Sequence, residues 1–258
     1  MFEALYMAAT GLINQQRRMD VTADNVANVN TNGFKASRLD FKDAIYTAGI
    51  DPGPAYTPDG NLQKGHGVMT AAITHDFSGA SLIATGNMLD FAIEGDAFFE
   101  VVDPYGNVYY TGRGNFYTVN GTEGFTLTNS DGWFVLDENG EKIVLPEGTV
   151  EAELSPDGLL TFKSGDSELG NVRLGMYTFP NKTGLNAAGN GNYTVTVASG
   201  EAIPATDYRI NQYMLENSNV DMATEMTRLL RTQRAFSLAA RALKTADDME
   251  GIANNMRR

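Results

Sequence analysis

The chain contains no cysteine in 258 residues, which excludes disulfides, thiolate metal sites and cysteine nucleophiles. Histidine occurs only at His66 and His75, so a metal centre would need further ligands fixed on a rigid element, and no cofactor is expected. No apolar run approaches the roughly 18 residues that cross a membrane, so membrane insertion is not expected. A cleaved signal peptide is not expected either. Glu3 stands where positive charge belongs, and Arg17 and Arg18 follow the apolar stretch instead of preceding it.

Basic residues are scarce as well: 19 Lys and Arg stand against 32 Asp and Glu, a net charge of −13. That charge is localised. Residues 1–46 are neutral, residues 47–207 carry −15, and residues 208–258 carry +2. A phosphate backbone needs a basic surface, so a nucleic-acid partner is not expected. The acidic middle serves solvation.

What is present begins at the N-terminus. Leu5, Leu12, Met19 and Val26 recur every seven residues, with Phe2, Ala9 and Ala23 three positions before three of them. Asn14, Gln15, Arg17, Arg18 and Asp20 are left for another face, as in a coiled-coil seam. Met222, Leu229, Phe236 and Leu243 repeat that spacing at the other end, and Met249, Ile252, Ala253 and Met256 continue the stripe after a slip in register. The spacing predicts a helix from the first residue to about the Asn-rich stretch Ala23–Lys35 and another over Asn219–Glu250, roughly 45 Å long. Ser218, Asn219 or Asp221 is the expected N-cap of the second. Asn25 and Asn28 are expected to close the first in the left-handed conformation, with Asn32-Gly33 forming a tight turn.

From Met88 to Val197 short apolar runs alternate with turn chemistry such as "DPYGN", "SDG", "ENG" and "SPDG", the pattern of an all-β body. Ala48–Gly67 and Asn181–Asn192 read as loops or extended connections. The predicted fold class is α+β: a mainly-β central domain flanked by N- and C-terminal α-helices that pair as a coiled-coil-like stalk. The expected divisions are residues 1–46 for the first helix and its Asn-rich end, 47–84 for an extended linker, 85–207 for the β domain and 208–258 for the second helix. Ile13, Val21, Leu230 and Leu238 fall outside the narrow seams, so the stalk is expected to associate with other copies or a partner.

Catalytic constellations are weak. Glu94 and Asp96 could form a glycosidase pair, but such pairs are common in so acidic a chain. Asp137–Glu141 lacks the spaced ligands of a calcium loop, and Thr111–Phe116 ("TGRGNF") lacks the lysine of a phosphate cradle. No enzyme is expected.

"GLINQQRRMDVTADNVANVNTNGFK", residues 11–35, resembles the N-terminal signature of bacterial flagellar axial proteins, the rod and hook components of the basal body. Asn25, Ala27, Asn28, Thr31, Gly33 and Phe34 match it. "LENSNVDMATEMTRLLRTQRAF", residues 215–236, is similar to the family's C-terminal segment at Glu216, Ser218, Asn219, Val220, Glu225, Gln233, Arg234 and Phe236. Residues 85–101 are similar to the entry into the family's β domain.

The resemblance implies a structural subunit of the flagellar basal-body rod whose terminal helices build the inner tube of a helical polymer, with β domains outside. It implies self-association, contacts with other rod and hook subunits, and export through the flagellar type III apparatus into the cell envelope. Leu5, Leu12, Met19 and Val26 against Met222, Leu229, Phe236 and Leu243 are the expected assembly contacts. A hook-type protein is disfavoured by the single modest β domain. An alternative from another class is a secreted carbohydrate-binding or adhesive β domain with helical oligomerisation ends, for which Trp133 would be the exposed platform.

Overall fold

In a computed structural model the described residues are 2–44, 47–49, 62–64, 67–121, 124–165 and 167–256. They divide into two compact units. One holds residues 1–27, 37–74 and 221–258; the other holds 28–36 and 75–220.

The helical unit is built on α1 (Phe2–Ala27) and α2 (Met222–Asn255), which pack side by side. Strand Ser37–Asp43 pairs with Val68–His75, and Thr47–Gly49 pairs antiparallel with Leu62–Lys64. The linker expected over 47–84 therefore contains strands at 47–49, 62–64, 68–75 and 82–84, with 76–81 between the last two outside any strand. Residues 50–61, including the Pro- and Gly-rich core of the expected loop, lie outside the described residues, as does His66.

Asp221 starts α2: its Oδ1 accepts the Ala223 N–H at 3.2 Å, and Thr224 donates its hydroxyl to Oδ2. Ser218 and Asn219 were equally plausible caps by composition, but their side chains are engaged upstream. Ser218 Oγ accepts the Val220 N–H, and the Asn219 amide bonds residues 36 and 76. Gly251 does not end α2, which runs 34 residues to Asn255. The left-handed closure expected of Asn25 and Asn28 is also corrected. The described non-glycine residues with positive φ are Asn190 and Tyr213, so neither asparagine adopts it. The chain turns instead over Asn28–Thr31, where the Thr31 N–H meets the Asn28 carbonyl at 3.1 Å, and again over Thr31–Phe34. Gly33, at φ +69°, supplies the left-handed residue.

The second unit is the antiparallel β body. Seven strands of its ten-stranded sheet run in the order Val144–Leu145, Gly124–Thr128, Phe134–Val135, Phe98–Val102, Val108–Thr111, Asn192–Thr194 and Asn186–Gly189; Tyr117–Gly121 pairs with Gly124–Thr128, Met176–Thr178 with Phe98–Val102, and Ile203–Pro204 with Met176–Thr178. A three-stranded sheet of Glu151–Leu154, Leu159–Ser164 and Ser167–Arg173 accompanies it, and Phe91–Gly95 pairs with Tyr208–Gln212. Phe91, Phe99, Phe116, Leu127, Ile143, Leu160 and Phe162 are sealed at its centre, the inward half of the period-two alternation. Asn186–Gly189 forms an edge strand where a loop was expected. Its partner Asn192–Thr194 already pairs with Val108–Thr111, so the intervening "GNG" makes a hairpin turn.

Candidate assembly interface

In the helical unit the expected seam residues Leu12, Met19 and Val26 of α1 and Leu229, Phe236 and Leu243 of α2 are half-buried. Met222 is 41% exposed, and the Leu5 side chain lies outside the described residues. Among the described side chains of the helices, the buried ones are polar: Asn14, Thr22 and Asn25 on α1, Glu225 and Thr232 on α2.

Each of these five side chains is hydrogen-bonded, whereas Gln15 Oε1 on α1 is buried without a hydrogen-bond partner among the described residues. Thr22 and Thr232 donate their hydroxyls to carbonyls one turn back on their own helices, Arg18 and Arg228, both at 2.9 Å. Asn14 donates to the Val68 carbonyl and accepts from the Thr70 hydroxyl at 2.8 Å, stitching α1 to strand 68–75. Asn25 bonds the backbone of Ser37 with both ends of its amide and reaches the Glu225 carboxylate at 3.4 Å, while Arg228 pairs with that carboxylate. Sequence periodicity picks out apolar stripes and so leaves Asn14 for the other face, whereas the structure buries it against strand 68–75; asparagine at the end of a helix reads as a terminator.

Outside this packing, apolar surface remains. Tyr6 and Ile13 on α1 are 64% and 55% exposed, and Leu230, Leu238, Met249 and Ile252 on α2 are each more than half exposed. The leftover surface expected at Ile13, Leu230 and Leu238 is present; Val21 is half-buried.

The β body brings the two quoted motifs together across 180 residues of chain. The Gly33 N–H donates to the Glu216 carbonyl at 2.7 Å, and the Asn219 N–H donates to the Phe34 carbonyl at 3.3 Å. The Asn219 side chain accepts the Ala36 N–H at 2.7 Å and donates to the Asp76 carbonyl at 2.8 Å. Lys35 and Glu216 form a buried ion pair at 2.7 Å. Lys35 also donates to the Ser78 carbonyl, and Glu216 accepts the Ala80 N–H. Thr31 donates to the Asn28 side chain, and Val220 is buried. Gln233 and Arg234 stay exposed on α2 and share none of this network.

Arg113, in the "TGRGNF" segment, explains a further glycine. A Cβ on Gly33 would sit 2.7 Å from Arg113 Cγ, and one on Gly191 would sit 2.6 Å from Cδ, so the side chain threads between two glycines. Gly114 lies so close to the Phe91 carbonyl that no side chain fits. Gly114 thus serves backbone crossing, while a side chain at Gly112 would meet open space.

Of the remaining candidates, Glu94 and Asp96 line the same groove, with no histidine among its described lining residues. Glu94 and Asp96 are exposed, and Asp96 pairs with Lys182. His75 is half-buried with its ring edge-on to Tyr193, 5.6 Å between centroids. Asp137 Oδ1 accepts the N–H groups of Asn139 and Glu141, which makes "DENGE" a turn. Trp133 is half-buried with its ring 4.3 Å from that of Tyr109, so it is not the exposed platform that glycan binding would use. Among the described residues no group of acids and histidines could hold a metal ion, and no helix is long and apolar enough to cross a membrane.

Comparison with known proteins gives three family matches in chain order. Residues 5–35 match the flagella basal body rod protein family, residues 92–162 the flagellar hook protein FlgE/F/G D1 domain, and residues 211–256 the flagellar basal body rod FlgEFG protein C-terminal family. The chain is 36% identical over 274 aligned residues to the flagellar basal-body rod protein FlgG of Borreliella burgdorferi, with all of both chains covered. It is 32% identical to FlgG of Bacillus subtilis, again over the whole of both. The rod protein FlgF of Mesorhizobium japonicum is 34% identical over 95% of this chain and 93% of its own.

Proposed function

Because this chain belongs to the flagellar basal-body rod protein family, whose members are structural subunits of the rod, we propose that it polymerises through its terminal helices into a tubular axial structure that transmits torque. The observation that carries this reading is the apolar surface that α1 and α2 leave uncovered while lying side by side, above all Ile13, Leu230 and Leu238. A monomer does not gain from such patches, whereas a polymer buries them. Contacts between unlike surfaces do not close on themselves, so each added subunit presents a fresh site and the assembly grows as a tube.

The half-buried Leu12, Met19 and Val26 with Leu229, Phe236 and Leu243 support coiled-coil-like pairing within the subunit, which Leu5 and Met222 extend. Charge supports the same reading: the terminal segments are near neutral and can pack densely, while the acidic middle repels its copies and stays solvated. Other rod and hook subunits are the neighbouring partners. The flagellar export apparatus delivers the unfolded chain, which without cysteine cannot crosslink on the way.

The test is deletion of the gene, complemented with wild type, with Leu12→Asp plus Leu229→Asp, or with Leu230→Asp plus Leu238→Asp. The first pair is expected to disrupt the helix pair itself. The second is expected to leave thermal unfolding of the purified chain unchanged yet abolish swimming and truncate the rod in electron micrographs. Normal motility with complete basal bodies after deletion would overturn the reading.

A further inference from the structure

Two stretches of the β body lead directly into the helices: residues 28–36 continue from α1, and residues 215–220 run into α2. They are clamped to each other by the Gly33–Glu216 and Phe34–Asn219 backbone bonds and by the Lys35–Glu216 ion pair. The clamp bears on one further side chain. Arg113 passes Gly33, where a Cβ would come within 2.7 Å of its Cγ, and then Gly191, where a Cβ would come within 2.6 Å of its Cδ. Beyond that crossing its Nη1 donates to the Asn190 carbonyl at 2.9 Å.

The far end of Arg113 is anchored in turn. Asn190 and Gly191, at φ 51° and 72°, make the turn between strands 186–189 and 192–194. The Thr111 hydroxyl donates to the Gly191 carbonyl at 3.0 Å and accepts the Arg113 N–H at 3.2 Å. One carboxylate holds both sides of the turn: Asp131 accepts from the Asn190 amide at 2.9 Å and from the Asn192 amide at 2.8 Å. Asn129 Oδ1 fixes the Asp131 and Trp133 N–H groups, each at 2.9 Å. A hairpin, strand 108–111 and the turn over 129–133 thus converge on one arginine. Its Nε is buried without a hydrogen-bond partner among the described residues. Packing alone asks for no guanidinium here, since a buried donor left unbonded costs stability.

We propose that Arg113 is a strut, a positioning residue that holds the clamp stiffly against the β sheet, so that torque entering the clamp along either chain connection reaches the sheet without the joint yielding. This rests on the rod reading above and names the side chain on which torque transmission depends within the β body. Close-packed contacts pass a displacement on because protein interiors compress little. Glycine at both crossings lets the stem of Arg113 lie against main chain, so a shift of Gly33 presses on Cγ directly and no intervening side chain rotates to absorb it. The planar guanidinium then fixes the other end through its bond to Asn190.

The test reads local opening and load separately. In the purified full chain, Arg113→Ala is expected to speed hydrogen exchange of the Gly33 and Asn219 amides, both bonded across the clamp, by roughly ten-fold, and to leave the amide of the buried Leu127 unchanged. Equal acceleration at all three would mean a general loss of stability, and no acceleration would mean that the clamp stands without Arg113; either result overturns the strut. In the strain deleted for the gene, Arg113→Ala is expected to give complete rods and normal swimming in dilute medium, with swimming lost in a viscous medium that wild type tolerates. Undiminished swimming under viscous load, despite a loosened clamp, overturns the load role. Should Arg113→Ala fail to fold, Arg113→Met keeps a stem between the two glycines, loses the bond to Asn190, and is read against the same outcomes. Complete basal bodies after deletion of the gene remove the rod reading and the load role with it, whereas the exchange result bears on the strut alone.

Discussion

Asn25 holds the backbone of Ser37 by both ends of its amide: Nδ2 donates to the Ser37 carbonyl and Oδ1 accepts the Ser37 N–H, each at 2.8 Å. A helix side chain thereby replaces a strand neighbour, and the start of strand 37–43 needs no further pairing at that residue. Asn25 is 1% exposed, so water cannot substitute.

Asn25→Ala is therefore expected to orphan two buried backbone groups. At roughly 1–3 kcal/mol each, the loss is about 3 kcal/mol of stability. Asn25→Asp keeps the acceptor but loses the donor and sets a second carboxylate beside Glu225. Both variants are expected to lower the urea midpoint of the full chain, with the m-value retained. An unchanged midpoint would show that the amide bridge contributes nothing net.

Gly33 combines φ +69° with a Cβ direction that meets Arg113. Gly33→Ala is expected to cost about 1–3 kcal/mol from the left-handed backbone, and more from the collision. Arg113→Ala removes the collision and leaves the backbone term. A double-mutant cycle read by denaturant melts is thus expected to show coupling: Gly33→Ala should cost less in the Arg113→Ala background than in the wild type. Equal costs in both would mean that Arg113 moves aside freely.

The two helices and the β body were legible in the sequence because heptads and two-residue alternation are local patterns that packing enforces strictly. What stayed hidden are contacts between distant residues. Asn25, Asn28 and Asn219 look like punctuation, since asparagine ends and starts helices in isolation; only the fold reveals that Asn25 bonds a strand and Asn219 bonds residues 36 and 76. Arg113 carries no pattern at all. Its place depends on glycines about 80 residues to either side, at 33 and 191. Resemblance to known axial proteins marked Gly33, Glu216 and Asn219 as a set without saying that they meet. The edge strand Asn186–Gly189 was missed because Asn-Ala-Ala-Gly consists only of residues that strand propensity disfavours.

Lys35 and Glu216 are the charged pair most withdrawn from water among those described, at 10% and 9% side-chain exposure. Removing one partner strands the other charge, so Lys35→Met is expected to destabilise by about 3–5 kcal/mol. Lys35→Met with Glu216→Leu leaves no uncompensated charge and is expected to recover much of that loss, although Ala80 then lacks its acceptor. Thermal melts of the three variants at fixed pH test this. A double variant no more stable than Lys35→Met would mean that the hydrogen bonds to Ser78 and Ala80, and not the charges, carry the junction.

Glu100 makes one part of the β body sensitive to pH. Burial pushes its carboxyl above the ordinary range, against the lowering effect of the Tyr110 hydroxyl, which donates to it at 3.2 Å, and of the Tyr177 hydroxyl. The folded state therefore binds this proton more tightly than the unfolded chain does. Over the window from the ordinary glutamate pKa up to the raised one, the folded chain holds more protons, so this contribution is fully present at acid pH and is lost as pH rises through the window. Asp221 acts in the opposite sense. The Thr224 hydroxyl and the helix N–H groups lower its carboxyl, and its contribution is lost as pH falls. Glu100→Gln keeps an acceptor for Tyr110 without the charge, so it is expected to leave stability unchanged at acid pH and to raise it at neutral pH. The measurement is the urea midpoint across pH 4 to 8 for both chains. Parallel profiles would mean that Glu100 titrates alike in the folded and unfolded states, and that the cost of burying its charge is offset in full by the two tyrosine hydroxyls.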